Sequence, residues 1–373
     1  MDFTLPQLLK TLIDQGASDL HISLNSAPRI RINGEIIPLN LPPLTEEQTK
    51  TLCYSVLTEQ QKKKYEQTKE LDFAFSVHGL ARFRGNIFVQ KNSVAAVFRI
   101  IPFKIHTLEQ LGMPKVMQSL CELPRGLILI TGPTGSGKTT TLASMIDHIN
   151  VNNKSHIVTI EDPIEIVHEH KRSIVNQREI GGDTVDFAAA LRSSLRQDPD
   201  VVLVGEMRDL ETISLAIRTA ETGHLVFATL HTNSALTSIN RIIDVFPAHQ
   251  QDQIRIQLSQ SLQAVVSQLL LPSTQNGRVL GLEILIPNAA VRNLIRENKI
   301  HQIYSSMQTG HSESGMQTMN QSLCNLLQRR LITTKTAFSI SPQADELMEL
   351  INHGNKNSNI SSQFNNRPLR KGS

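Results

Sequence analysis

Residues Gly132, Pro133, Thr134, Gly135, Ser136, Gly137, Lys138, Thr139 and Thr140 follow the apolar run Leu127 to Thr131 and contain the spacing G-x-x-x-x-G-K-T. That spacing lets a chain grip phosphate. Glycine is needed at 132 and 137 because the backbone must curl with its N–H groups inward, where a Cβ would obstruct the phosphate oxygens. Lys138 then reaches the β and γ phosphates, and the Thr139 hydroxyl is placed to ligate Mg²⁺. The context agrees, since a β-type run precedes the loop and Leu142, Met145, Ile146 and Ile149 follow at helical spacing. The helix would add its N-terminal amides and positive dipole end to the anion site.

Chemistry on a bound phosphate chain needs further polar groups, and in a parallel sheet these collect where strands end. Three apolar runs close on such groups: His156 to Ile160 on Glu161, Val201 to Val204 on Gly205-Glu206, and His224 to Leu230 on His231. Phosphoryl transfer to water requires a group that orients the water, one that holds Mg²⁺ or its waters, and a sensor of the γ-phosphate. Glu161 is assigned to the water, Glu206 to the metal and His231 to the sensor, and the two glutamates could exchange roles. A second group is Arg82, Arg84 and Arg99 on adjacent expected strands, with 82 and 84 on one face by the period of two. They read either as a solvated strand face or as arginine fingers reaching a γ-phosphate across a subunit boundary.

The elements that position these residues fall into two sets. In the first hundred residues the pattern predicts a helix over Pro6 to Gln15, strands over Asp19 to Leu24 and Arg29 to Asn33, and a hairpin turn at Asn33-Gly34. A helical stretch follows over Thr45 to Tyr65, opened by a Thr45/Gln48 capping box. Strands over Asp72 to Val77, Ala81 to Gln90 and Ser93 to Ile101 complete the set, and Pro102 marks a linker. From Gly126 a strand, loop, helix repeat predicts a parallel sheet flanked by helices. After Ser234 the chain reads as mainly helical, over Gln250 to Leu271 and Ala289 to Asn298, with a strand at Val279 to Ile286. The expected domains are 1–102, a linker over 103–118, 119–350, and a disordered tail over 351–373.

The chain has 373 residues, enough for two ordinary domains. No apolar run approaches the ~20 residues that span a bilayer, and the N-terminus has neither the basic nor the apolar region of a secretion signal. The expected location is the cytoplasm. Cys53, Cys121 and Cys324 form no C-x-x-C pair, which argues against a disulfide framework or zinc cluster and for reduced, mostly buried thiols. Of the net charge of +3, the stretch from Gly354 carries four basic residues and no acid, which leaves −1 for the rest. That balance, with no tryptophan, argues against a nucleic-acid surface.

Taken with the phosphate loop, Glu161-Asp-Pro-Ile-Glu165, Leu191 to Asp200 leading into Gly205-Glu-Met-Arg-Asp209, and Thr219 to Thr232 resemble the secretion ATPase superfamily. Gly16-Ala-Ser-Asp-Leu-His21, Asn176-Gln-Arg-Glu179 and Ala290-Val-Arg-Asn-Leu-Ile-Arg-Glu297 bring the resemblance closest to its pilus-retraction members. It covers residues 1 to about 350. The resemblance implies an α/β fold with a PAS-like N-terminal α+β domain and a RecA-like P-loop ATPase domain whose C-terminal part is mainly helical. It implies ATP and Mg²⁺ as ligands, a homohexamer with ATP at subunit boundaries, and Arg82, Arg84 and Arg99 completing each site from the neighbour. It further implies the inner-membrane pilus platform protein as partner, an accessory retraction ATPase as a second, and recruitment to the inner-membrane face. Arg292, Asn293, Arg296 and Glu297 then couple movement to pilin depolymerisation, in support of twitching motility. Thr139 for the usual Ser, Val291 for the usual Ile, and Gly181-Gly182 depart from the pattern without removing a functional group.

Other readings stand beside this one. Assembly and export ATPases of the superfamily usually carry a longer N-terminal region and often a four-cysteine zinc site. An accessory retraction ATPase and a type IV secretion ATPase are nearer rivals. A nucleotide-gated scaffold, with incidental hydrolysis, is the alternative from another class.

Overall fold

The computed structural model describes residues 3–32, 34–101, 105–309 and 315–353. The chain divides into two units, Met1–Ile105 with Glu161–Glu169, and His106–Ile160 with His170–Ser373.

The first unit contains α1 (Leu5–Asp14), β1 (Asp19–Ile22), β2 (Arg29–Ile32), β3 (Glu35–Pro38), α2 (Glu46–Tyr54), α3 (Glu59–Thr68), β4 (Glu70–Val77), β5 (Ala81–Gln90) and β6 (Ser93–Ile101). Its strands pair antiparallel in the order β3-β2-β1-β6-β5-β4. Strand alternation separates two faces. Leu20, Ile30, Phe73, Phe83 and Phe98 are buried in one core with Leu5, Leu8, Leu9 and Leu12 of α1. The register places Arg31 opposite Asp19, Asp19 opposite Arg99, and Arg99 opposite Arg84, so these polar residues share the other face.

The single helix expected over Thr45 to Tyr65 is two. Thr45 and Gln48 form the expected capping box, and Thr58 with Gln61 forms a second. Thr58 Oγ1 accepts from the Gln61 amide at 3.3 Å while Gln61 Oε1 accepts from the Thr58 amide at 3.0 Å. A cap in mid-stretch satisfies the N–H groups of a new first turn, so the chain restarts instead of continuing. Asn33 of the expected turn, Pro102 and residues 103–104 of the expected linker, and 354–373 of the expected tail lie outside the described residues. Residues 351–353 are helical, three residues into the stretch assigned to the tail.

The second unit begins with α4 (Val116–Cys121), β7 (Gly126–Thr131), α5 (Lys138–Asn152), β8 (His156–Glu161), β9 (Ile174–Glu179), α6 (Phe187–Ser194), β10 (Val201–Val204), α7 (Leu210–Glu221) and β11 (Leu225–Leu230). It continues with α8 (Ala235–Asp244), α9 (Ala248–Ser261), β12 (Leu262–Pro272), β13 (Arg278–Leu285), α10 (Ala289–Arg296), α11 (Ile303–Thr309), α12 (Met319–Gln328) and α13 (Thr334–Ile340). The sheet order is β13-β12-β7-β11-β10-β8-β9. β12, β7, β11, β10 and β8 run parallel, as a RecA-like core requires. Both faces are covered. Leu127, Leu129, Val226 and Val265 pack with α7 to α10, whereas Ile128, Ile130, Phe227 and Val266 pack with α4 and α5. Leu108 and Met117, from the stretch assigned to the linker, are buried in this second core.

The helix expected over Gln250 to Leu271 ends at Ser261, and from Leu262 the chain is the strand β12. β12 pairs parallel with β7 and antiparallel with β13, inside the sheet. A run buried on both faces shows no period of two, so Leu-Gln-Ala-Val-Val-Ser-Gln-Leu-Leu-Leu reads equally as buried helix. Pairing on both sides decides for strand.

Candidate active site

The loop from Gly132 to Gly137 joins the end of β7 to α5, whose residues Leu142, Met145, Ile146 and Ile149 anchor it in the core as their spacing predicts. Gly132 has φ of 143°, and a Cβ there would lie 2.4 Å from the Gln268 carbonyl oxygen and 2.6 Å from Ser136 Oγ. Only glycine fits. Gly137, with φ of 90°, occupies the left-handed region at the N-cap of α5. Lys138 Nζ donates to the carbonyl oxygens of Gly132 at 2.7 Å and Pro133 at 3.1 Å, curling back over the loop. Thr134 and Gly135 form its exposed crown, while Thr139 and Thr140 are half-buried in the first turn of α5.

Two of the three strand-end groups meet directly. His231 Nε2 lies 3.2 Å from Glu206 Oε1, and Arg208 NH2 lies 2.7 Å from Glu206 Oε2. Burial opposes ionisation of Glu206, but the hydrogen bonds and charges of Arg208 and His231 together outweigh it and hold the carboxyl below its ordinary pKa. Burial draws Lys138 below its ordinary value, against the charge of Glu206, which favours the ammonium. Glu206 and Lys138 therefore act on one another electrically. Glu161 ends β8, the strand beside β10, and is itself the first residue of the segment to Glu169 that clusters with the first unit. An ionised carboxylate, a lysine and a helix N-terminus with a hydroxyl at Thr139 suit a magnesium-bound polyphosphate.

The arginines of the first unit each have a partner in their own chain. Arg99 Nε lies 2.7 Å from Asp19 Oδ1, Arg84 NH1 lies 3.0 Å from Glu165 Oε1, and Arg82 Nε donates to the Ile164 carbonyl at 3.1 Å. Asp19 is only 3% exposed. Burial raises its pKa, but hydrogen bonds from Ser18 and Arg99 and the Arg99 charge win and keep it below the ordinary value.

Of the residues expected to couple movement, Arg292 points inward. It donates to the carbonyls of Ser259 at 2.6 Å and Gln260 at 3.2 Å and to Gln263 Oε1 at 3.2 Å, gripping the end of α9. Asn293, Arg296 and Glu297 are exposed and linked to each other, Asn293 Nδ2 to Glu297 Oε1 at 2.8 Å and Arg296 NH2 to Asn293 Oδ1 at 3.0 Å. Three partners had not been singled out from the sequence: Arg208 for Glu206, Asp19 for Arg99, and Glu165 for Arg84. Arg208 was open to inspection two residues from Glu206, whereas the other two lie about eighty residues from their arginines.

Residues 3–338 match the family described as Type II/IV secretion system protein. The chain is 53% identical over 337 residues to the "Type IV pilus retractation ATPase PilT" of Pseudomonas aeruginosa, covering 90% of this chain and 97% of that one. It is 52% identical over 336 residues to the "Twitching motility protein" of Neisseria gonorrhoeae, covering 90% of each. The solved structure described as the pilus retraction motor PilT with bound ADP superposes with a TM-score of 0.88 at 53% identity, covering 93% of this chain and all of that one.

Proposed function

The chain belongs to the Type II/IV secretion system protein family, and on that premise we propose that it is the ATPase motor that retracts type IV pili and so supports twitching motility. The observation that carries this reading is the Glu206 carboxylate just past the end of β10, 2.7 Å from Arg208 NH2 and 3.2 Å from His231 Nε2, in the same sheet whose β7 leads into the phosphate loop. The relatives bearing retraction and twitching names align over nine-tenths of the chain.

In this reading Lys138 draws on the β and γ phosphates of ATP, and the loop amides with the N-terminus of α5 hold the rest. Thr139 and, through water, Glu206 would hold Mg²⁺, which supplies charge neutralisation on the phosphates. Glu161 orients and deprotonates the attacking water, and His231, bonded to Glu206, senses the γ-phosphate at the mouth of α8. Arg82, Arg84 and Arg99 complete the site of the neighbouring subunit in a homohexamer. Arg292, Asn293, Arg296 and Glu297 pass movement to the pilus platform protein at the cytoplasmic side of the inner membrane. An accessory retraction ATPase is a second partner of the same motor.

Glu206→Ala is the direct test. Nucleotide binding by the purified protein should persist while the hydrolysis rate falls on the order of a hundredfold. Wild-type turnover by the variant would remove Glu206 from the mechanism.

A further inference from the structure

The strand that sequence periodicity concealed, β12, touches the phosphate loop at both ends of its curve. Ser267 and Gln268 are adjacent in β12 and so face opposite sides of the sheet. On one side Ser267 Oγ lies 2.7 Å from Oγ1 of Thr131, the residue that enters the loop. On the other, Gln268 Nε2 donates to the carbonyl of Ser136 at 2.7 Å. The Gln268 main chain also closes on Gly132, where no Cβ fits. Gln268 is 1% exposed and Ser136 is 3% exposed.

We propose that Gln268 is a positioning residue of the nucleotide site, acting through the Ser136–Gly137 peptide. In a trans peptide the C=O and the next N–H point in opposite directions. Holding the Ser136 carbonyl toward β12 therefore turns the Gly137 N–H away from β12, into the curve of the loop where phosphate is bound. A side-chain amide is suited to this task because it donates without adding charge beside Lys138. The Ser267 contact continues as a chain of hydroxyls. Ser238 Oγ lies 3.5 Å from Thr131 Oγ1 and 2.6 Å from Thr232 Oγ1, next to His231. β12 thus holds the buried end of the loop at Ser136 through Gln268 and joins the loop entry to the sensor turn through Ser267.

The inference rests on the ATPase reading and is tested on the full-length protein. Gln268→Met keeps the length of the side chain and removes the donor. Ile217→Ala, in the core of α7, serves as a control that destabilises without approaching the loop. A fluorescent ADP analogue measures affinity, and thermal melting measures stability. Gln268→Met should weaken ADP binding about tenfold, the loss expected when the Gly137 N–H is no longer aimed and one hydrogen bond to a charged phosphate is forfeited, while Ile217→Ala melts earlier and binds ADP as wild type does. Wild-type affinity in Gln268→Met, or equal weakening in Ile217→Ala, would overturn the proposal. A wild-type protein that does not bind the probe would instead refute the ATPase reading itself.

Discussion

At the scale of single residues, function here depends on which charges are left ionised. Glu206 keeps its charge because Arg208 and His231 supply more than burial removes. In the first unit the balance tips the other way for His21. Burial lowers its pKa from 6.5, Arg31 and Arg99 add to the effect, and Asp19 opposes it. Its Nε2 is buried and has no hydrogen-bond partner among the described residues, so a proton added there meets no acceptor among them. The sign follows from linkage: below 6.5 the unfolded chain takes up a proton that the folded unit resists, so stability is full above that pH and declines as pH falls. Asp19 adds a second loss at lower pH, as its own depressed pKa is approached. Urea unfolding at pH 7.5 and 5.0 should show a larger loss for wild type than for His21→Asn, and identical losses would exclude His21 as the cause.

At the scale of elements, legibility followed the distance over which a signal acts. The phosphate loop, the apolar face of α5 and the polar ends of β10 and β11 were readable because each is a pattern within a dozen residues. The Thr58 restart of α3 was equally local, a capping box lying inside an apparently continuous helix. β12 was not legible, since its identity depends on pairing with β7, more than a hundred residues earlier, and with that strand the role of Gln268 was hidden as well. Arg292 shows the same limit. Its motif places it among the coupling residues, and what no local pattern revealed is that it also caps the last carbonyls of α9, where a cation is favoured. Arg292→Ala should cost about 1–2 kcal/mol in unfolding free energy while leaving nucleotide affinity unchanged. A variant as stable as wild type would mean that the grip contributes nothing to the fold.

At the scale of the whole molecule, the chain carries one phosphate loop and a separate set of arginines in the first unit, each engaged with a backbone or carboxylate partner of its own chain. The ion pairs of Arg84 and Arg99 each engage one guanidinium nitrogen, at NH1 and Nε respectively, and both side chains are substantially exposed. In the proposed ring they can therefore keep these partners while offering their remaining N–H groups to a neighbour's nucleotide. The proposed motor works through a ring and a platform protein, so that proposal is tested most directly in cells. Deleting the gene in its host and counting surface pili by electron microscopy should give more pili than wild type, on cells that no longer twitch. Cells without pili would contradict retraction and indicate a role in assembly.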